Sequence, residues 1–328
     1  MALAAGLGLL TAGLAASGHS PAVALGAMWD GAFGSQYAIM SSTLLRSIPL
    51  IIVGLGIAFA FQAGALNIGG EGQFYAGAIA ATAVGVHLQG WPAPIALVVV
   101  LGLATLAGAA WAAIPAWLRV RYGVMEAIST LLLNFVALAL VSWAVTGPLQ
   151  EARRAYPESD PVALSARLPL LFGTRLHAGI IIALVLAIGL AVVFARTRFG
   201  FALKAAGAGP KAAALMGRVD VDRVVASALL GSGGLAGLAG GIEVAGVSYA
   251  LFQNLSPGYG FTAIAVALLA RLDPLGVVVA GVLFGALESG AAAMQRDAGV
   301  PSVAVYVVEA VVIIVVLLAD RYARGRAS

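Results

Sequence analysis

The feature that most constrains this chain is a series of ten apolar segments that carry few charged side chains. They fall at about 2–28, 44–66, 72–88, 93–118, 127–146, 178–195, 224–247, 261–270, 274–289 and 301–319. A helix that crosses the hydrocarbon core of a bilayer needs roughly 20 apolar residues. Because lipid offers no hydrogen-bond partner to exposed peptide groups, such segments are expected to be helical. The pattern predicts an all-α, polytopic transmembrane helical bundle with about ten crossings.

The composition supports this class and excludes several kinds of site. Hydrophobic residues make up 62% of the 328 residues and charged residues 10%, whereas soluble domains carry about 25% charged residues. The absence of cysteine excludes disulfides, thiolate metal sites and thiol catalysis. The three histidines lie far apart in sequence, so we expect neither a metal site nor a cofactor. The net charge of +4 is assigned to loops between spans, and no nucleic-acid partner is expected.

The most basic stretch of the chain, 196–223, lies between two apolar segments and is called the basic loop. Its six basic residues are Arg196, Arg198, Lys204, Lys211, Arg218 and Arg223, and they include both lysines of the chain. Loops rich in Lys and Arg remain in the cytoplasm. Because six apolar segments precede the basic loop, the N-terminus is expected in the cytoplasm and the 147–177 loop, called the long loop, outside. The arginine-rich C-terminal tail is also expected in the cytoplasm.

The basic loop has its own helical pattern. The sequence predicts a short helix over 199–206 that ends at Gly207. A second helix over 210–216 is expected to start at Pro210, since proline is well suited to the first helical position. Gly217 would follow its end in a left-handed conformation. The alternative is a solvated basic loop that only sets the topology.

The first apolar segment, 2–28, lacks the basic residues that begin a secretory signal, since the first arginine is Arg46. We interpret the segment as a membrane span and expect a few residues to be missing upstream. A cleaved signal is the alternative.

The charge of the C-terminal tail constrains the last third of the chain. An even number of crossings after the basic loop is needed to place both in the cytoplasm. The segments 261–270 and 274–289 are each short for a span and are separated by a polar turn at 271–274. We therefore predict two short or broken helices here. Non-helical backbone at membrane depth requires burial in protein or a wet cavity.

Two polar, glycine-rich stretches interrupt the apolar pattern. They are 67–73, which reads NIGGEGQ, and 254–260, which reads NLSPGYG. Each joins a span to a following apolar segment, the first on the cytoplasmic side and the second outside by the count above. Equivalent interruptions on opposite sides are typical of an inverted repeat. A chance match is the alternative, because only an asparagine, an aliphatic residue and glycines are shared.

Further polar and small residues lie inside the apolar segments. Glu243 and Glu309 are the best placed of the carboxylates for a functional role, since ionisable residues at membrane depth are costly. Glu71 is expected to accept backbone N–H groups freed by the first glycine-rich stretch, and Asn134 to bridge helices. Glycines 233, 237 and 241 recur every fourth residue, which predicts close packing of one helix on another.

Several of these motifs together resemble a known family. The run 65–73, ALNIGGEGQ, is similar to the signature of permease subunits of bacterial ABC importers of the branched-chain amino acid, ribose and nucleoside superfamily. The run 256–269, SPGYGFTAIAVALL, resembles the nucleoside branch, which works with basic-membrane-protein-type lipoproteins. The run 126–134, EAISTLLLN, and the basic loop match as well. The resemblance covers about 44–319.

The resemblance implies a function and a set of partners. The chain would be one transmembrane permease domain, 1–328, in the bacterial cell membrane. It would move a small polar solute across the membrane by alternating access, and the resemblance favours nucleosides as that solute. Its partners would be ATP-binding subunits, a second homologous permease, an extracytoplasmic substrate-binding lipoprotein and the surrounding lipid. The basic loop would hold a cytoplasmic coupling helix for the ATPase, formed by Gly200, Lys204, Gly207, Pro210, Lys211, Ala213 and Gly217. The substrate pathway would be lined by Asn67, Glu71, Gln73, Asn134, Asn254 and Phe261.

Other functions remain open at this stage. ABC import of a sugar or an amino acid fits the same motifs. An ion-coupled secondary transporter would work without an ATPase and would use carboxylates at mid-membrane, for which Glu243 and Glu309 are the candidates. An intramembrane enzyme is the third alternative, but no phosphate-binding loop, nucleophile elbow or zinc-protease motif occurs. Catalysis by this chain is therefore not expected.

Overall fold

The computed structural model describes residues 8, 11–15, 18, 20–215 and 219–300. Eleven helices are numbered here in chain order. They are α1 (Pro21–Phe33), α2 (Gln36–Gln62), α3 (Gly70–Gly85), α4 (Ala93–Tyr122), α5 (Glu126–Thr146), α6 (Gly179–Arg196), α7 (Arg198–Ala208), α8 (Pro210–Leu215), α9 (Val221–Ser248), α10 (Tyr259–Leu269) and α11 (Pro274–Ala298). Within these residues the fold is all-α, with two isolated β-bridges in place of any sheet. The predicted fold class is confirmed.

Six helices in the described part are long and apolar enough to cross a membrane: α2, α4, α5, α6, α9 and α11. The helices α3 and α10 are shorter, at 16 and 11 residues. Together these eight helices correspond to eight of the ten predicted segments. The predicted segment 2–28 is described only in part, and 301–319 lies outside the described residues. About ten crossings therefore remains consistent with the structure.

Two predicted boundaries are wrong. The helix after the polar turn is not short: α11 begins at Pro274, capped by the Asp273 carboxylate on the Gly276 N–H (2.7 Å), and continues to Ala298. The first helix of the basic loop does not stop at Gly207. It continues to Ala208, because Gly207 packs against another helix and does not serve as a terminator.

The helix α9 lies at the centre of the bundle and packs closely on α4. A methyl group added to Gly233 would lie 2.5 Å from the Gly108 carbonyl oxygen, and one added to Gly237 would lie 2.4 Å from the Ala104 oxygen. Only glycine permits this approach of two backbones. The predicted glycine seam is confirmed as a packing surface.

The chain contains two broken units that run in opposite directions. The helix α2 starts beside the long loop, where the Arg175 N–H donates to Ser41 Oγ (3.2 Å), and ends at the basic loop. The helix α9 starts at the basic loop and ends beside the long loop, where the Ala245 carbonyl accepts from the Leu168 N–H (2.8 Å). Each is followed by an irregular connection and a short helix. This opposite polarity is what an inverted repeat produces.

Candidate functional site

The irregular connections are called the first break (63–69) and the second break (249–258), and the helices that follow them, α3 and α10, meet inside the bundle. Glu71, in the first turn of α3, is 3% exposed, and its Oε2 accepts a hydrogen bond from the Gly260 N–H at the start of α10 (2.7 Å). Tyr75 Oη accepts a further bond from the Ser256 N–H (3.1 Å). A carboxylate near two helix N-termini is electrostatically favourable. The sequence did not predict that these two helices would touch.

A buried amide network ties the first break to α9. Asn67 Nδ2 donates to Gln73 Oε1 and to Ser232 Oγ, both at 2.8 Å. Asn67 Oδ1 accepts from the Gly69 N–H (2.9 Å) and from Gln73 Nε2 (3.1 Å). These side chains are at most 1% exposed, so the network satisfies polar groups that would be costly to bury alone. It fixes the irregular backbone before α3.

The helix α5 supports the same segment from the other side. Asn134 Oδ1 accepts from the Gly72 N–H (2.8 Å), and its Nδ2 donates to the Ile68 carbonyl (3.0 Å). Thr130 Oγ accepts from the Ile68 N–H (3.1 Å). The structure thus places Asn134 between two helices, where it satisfies backbone groups that the break leaves without helical partners.

The six predicted pathway residues fall into two groups. Four of them are buried and held by the hydrogen bonds just described: Asn67, Glu71, Gln73 and Asn134. The other two are exposed. Asn254, in the second break, has a φ of 62°, a left-handed conformation that asparagine tolerates. Phe261, in the first turn of α10, is 45% exposed.

Sequence reasoning missed four residues that complete this site. They are Thr130, Ser232, Tyr75 and Ser256. The first two are single hydroxyl side chains inside long apolar segments, where an unpaired polar group would be costly. That cost was a usable signal, but no local pattern indicates their partners, which lie more than 60 positions away.

The basic loop packs against the end of α2 through α7. A methyl group added to Gly207 would lie 2.2 Å from the Gln62 carbonyl oxygen, and Gly64 of the first break lies against Gly207. Gly200 makes a similar contact with α6, where an added methyl group would lie 2.1 Å from the Val193 oxygen. Any displacement of α7 must therefore act on the segment that leads into the first break.

The outer surface of the basic loop is both basic and apolar. Lys204, Pro210 and Lys211 are exposed, whereas Ala213 is buried. The side chains of Phe201 and Leu215 are 70% and 88% exposed. The predicted start of the second helix at Pro210 is confirmed, and Gly217 lies outside the described residues.

At the other end of the bundle, the long loop is bonded to the second break. The Ser159 N–H donates to the Leu251 carbonyl (2.8 Å), and the Leu251 N–H donates back to Ser159 Oγ (2.9 Å). The Val162 N–H donates to the Tyr249 carbonyl (2.7 Å). The Arg167 guanidinium lies 4.4 Å from the centre of the Tyr249 ring, a favourable cation–π contact. The long loop thus holds the second break much as α7 holds the entrance to the first.

His177 closes the long loop and is fully buried. Its Nδ1 accepts the Gly179 N–H (3.1 Å), and its ring lies against Gly246 of α9. Within the described residues, Nε2 has no hydrogen-bond partner. Burial lowers the pKa of this imidazole from 6.5 to about 4, because a charged ring would lose its hydration.

Acidification is expected to release the long loop from α9. Because the pKa of His177 is lower in the folded protein, its neutral ring contributes fully to stability above pH 6.5, and this contribution is lost as the pH falls towards 4. The free energy of unfolding changes by roughly 3 kcal/mol in all. Amide exchange of 159–170 should accelerate over this range, and the His177→Asn variant, which keeps an acceptor but does not titrate, should show little acceleration. Equal acceleration in both proteins would contradict the assignment.

A helical membrane bundle whose interior contains two broken units meeting at buried polar groups has the form of a solute permease. Residues 39–317 match the family model described as branched-chain amino acid transport system / permease component. The chain belongs to this family of permease components, which take part in transport and are not themselves enzymes.

Comparison with individual proteins confirms the predicted resemblance. The chain is 38% identical to the guanosine ABC transporter permease protein NupP of Bacillus subtilis (strain 168), over 94% of this chain and 88% of the relative. It is 36% identical to the glucose ABC transporter permease protein TsgB13 of Haloferax volcanii, over 95% and 84%. It is 32% identical to the nucleoside ABC transporter permease protein NupB of Lactococcus lactis subsp. cremoris, over 91% and 84%. No solved structure matches the chain.

Proposed function

We propose that this chain is the permease subunit of an ABC importer that brings nucleosides into a bacterial cell. The observation that carries the proposal is the 38% identity to a guanosine permease along nearly the whole chain. Glucose is the second candidate, because a glucose permease is 36% identical over a similar length. We further propose that 1–328 acts as one permease domain, with both termini in the cytoplasm and the long loop outside.

The partners in this proposal follow from the two ends of the bundle. ATP-binding subunits would bind the basic loop, where exposed lysines lie beside the exposed Phe201 and Leu215. The coupling residues are those predicted from the sequence, with Gly207 and Gly200 as the contacts to the membrane helices. A substrate-binding lipoprotein would dock near the long loop, and a second homologous permease would complete the pathway. Hydrolysis of ATP would be carried out by the partners.

The contacts also support a path for coupling between the two sides. On the ATPase side, α7 contacts the end of α2 and the first break. The helices that follow the two breaks, α3 and α10, meet at Glu71 and Gly260. On the receptor side, the second break is bonded to the long loop. We propose that nucleotide binding shifts this connected set between two arrangements, because packed elements change position as units and do not deform gradually.

The pathway residues divide by role in this proposal. The exposed Asn254 and Phe261 are the candidates to contact the solute directly, an amide for hydrogen bonds and a ring for stacking on a base. Asn67, Glu71, Gln73 and Asn134 line the pathway while holding the two breaks in place. Importers that receive solute from a receptor need only weak contacts, since a tight site would trap the solute.

Alanine at the two groups of pathway residues is expected to give different results. Asn254→Ala and Phe261→Ala should slow uptake severalfold without changing the amount of folded protein or receptor binding. Asn67→Ala should lower the melting temperature as well, because it leaves buried donors and acceptors unpaired at about 1–3 kcal/mol each. Uptake normalised to folded transporter separates the two effects. A normal melting temperature for Asn67→Ala would contradict its structural role.

The function is tested by uptake in cells that lack this importer and receive the chain with its partners. Labelled guanosine should enter, nucleosides should compete, and glucose should not. Competition by glucose alone would favour the second candidate. Purification of the tagged chain should recover an ATP-binding subunit, and scrambling the basic loop should abolish that recovery while membrane insertion remains. Uptake by the chain without any ATPase would favour the ion-coupled alternative.

A further inference from the structure

Two charged side chains lie inside the bundle and are not used by the site described above. Arg46 is in α2, two residues after the apolar segment 44–66 begins, and Glu243 is in α9. Arg46 is half-buried, and Glu243 is only 7% exposed. Charged groups at such positions are costly and commonly face a cavity or a ligand pathway.

The helix packing places these two residues at the same level. Along the antiparallel pair α2 and α9, Phe59 lies against Gly231 and Gly56 against Ser232. Continuing this register towards the long loop brings Arg46 opposite the end of α9, where Glu243 is located. Tyr259, at the start of α10, lies near the same end of α9, because its ring is 6.0 Å from that of Phe74 and the Phe74 backbone packs against Gly240, one turn before Glu243. Arg46 and Glu243 are close enough to act electrostatically on each other and on Tyr259.

The Arg46 guanidinium and the Glu243 carboxyl group do not form an ion pair with each other. Among the residues that the structure describes, neither of these two side chains makes a hydrogen bond or an ion pair within 4.0 Å. A buried ion pair is normally retained in direct contact, because separation forfeits the attraction that offsets desolvation. The separation leaves donors and acceptors available to a third group.

The backbone around both residues is irregular as well. A π-helical turn, Ile39–Thr43, precedes Arg46, and another, Val244–Ser248, follows Glu243. Such turns occur preferentially at functional sites because they redirect side chains within a helix. Both are on the side of the bundle where the long loop lies, so a solute arriving from that side would meet this pair early.

We propose that Arg46, Glu243 and Tyr259 form a recognition site for the adjacent hydroxyl groups of a neutral ring solute, such as the ribose of a nucleoside. A guanidinium only donates hydrogen bonds and a carboxylate only accepts them, whereas a hydroxyl does both. Two adjacent hydroxyls can therefore accept from the guanidinium and donate to the carboxylate, with the Tyr259 hydroxyl completing the set. The inference rests on the proposed import function and deepens it.

The test compares guanosine with 2′,3′-dideoxyguanosine in proteoliposomes that contain the complete importer. Hydrogen bonds to charged groups are worth about 1.5–3 kcal/mol, so Arg46→Met and Glu243→Gln should each reduce the preference for guanosine at least about tenfold. Uptake of the dideoxy compound should change little. Arg121→Met and Asp297→Asn, at exposed positions outside the basic loop, are the matched controls. The receptor is the same in every sample, so a changed ratio reports on the permease.

The possible outcomes distinguish a failure of the proposed recognition site from a failure of the proposed nucleoside import. If both variants slow the two compounds equally and leave the ratio unchanged, the recognition site is wrong while nucleoside import stands. If the wild type imports neither compound but imports glucose, nucleoside import is wrong, and the same variants are judged on glucose against 2-deoxyglucose. Rates are expressed per assembled transporter. If Arg46→Met assembles poorly, Arg46→Lys is the second variant: it keeps the charge and should retain part of the preference for guanosine over the dideoxy compound.

Discussion

Replacing Gly260 by alanine is expected to abolish transport. The added methyl group would lie 2.1 Å from the Glu71 backbone nitrogen and 2.5 Å from its Cα, so it would meet backbone and not a movable side chain. The first turns of α3 and α10 would have to separate, which would break the hydrogen bond between the Gly260 N–H and Glu71 (2.7 Å). Overpacking of this kind typically costs about 1–3 kcal/mol, and here it also separates the two helices that follow the breaks.

The matched control for Gly260→Ala is Gly102→Ala in α4, where no atom lies within 4 Å of the added methyl group. Both variants should be assayed for folded yield, melting temperature and uptake. Gly102→Ala should match the wild type in all three. Near-normal uptake by Gly260→Ala would show that the contact between α3 and α10 is not needed for transport.

Replacing Gly207 by alanine is expected to uncouple ATP hydrolysis from transport. The added methyl group would lie 2.2 Å from the Gln62 carbonyl oxygen, so α7 would be pushed away from the end of α2 and the first break. Unlike Gly260, Gly207 lies at the surface of the bundle, and the helices can adjust without unfolding. We therefore expect an assembled transporter with near-normal melting temperature and at least about tenfold slower uptake, which corresponds to about 1.4 kcal/mol in activation free energy.

Gly209→Ala provides the control within the same loop, since its added methyl group would make only an ordinary contact, 3.7 Å from the Ala212 Cβ. ATP hydrolysis and solute uptake should be measured on the same preparations. Gly207→Ala should retain hydrolysis but lose the uptake that accompanies it, and Gly209→Ala should retain both. A Gly207→Ala variant with an unchanged ratio of solute imported to ATP hydrolysed would exclude α7 as the coupling element.

Much of the helical framework could be predicted because a bilayer imposes a length and an apolar character on each crossing. The polar turn before Pro274 and the helix start at Pro210 were predictable from capping and proline geometry. Helix ends that depend on packing were not. Gly207 is a plausible terminator by composition, but it lies inside α7 because its missing side chain makes room for the Gln62 carbonyl.

The site was predictable only in its local parts. Asn134 was expected to bridge helices, and it links α5 to the start of α3. Glu71 was expected to accept backbone N–H groups of its own glycine-rich stretch, but it accepts one from the other stretch. The partner of Glu71 is 189 positions away in sequence, at Gly260, and no local pattern indicates such a pairing. The same limitation applies to Arg46 and Glu243, because only the packing of α2 against α9 shows that these two residues lie at the same level of the bundle.

In this account the chain forms the solute pathway but does not hydrolyse ATP, and its ATP-binding partners drive transport through the basic loop. This claim is tested most directly by guanosine uptake into proteoliposomes that contain the permease, its ATP-binding partners and the receptor, with ionophores present to abolish ion gradients. Accumulation should require hydrolysable ATP, persist with the ionophores and disappear in Gly207→Ala. Accumulation driven by an ion gradient in vesicles that contain the permease without any ATP-binding subunit would contradict the claim.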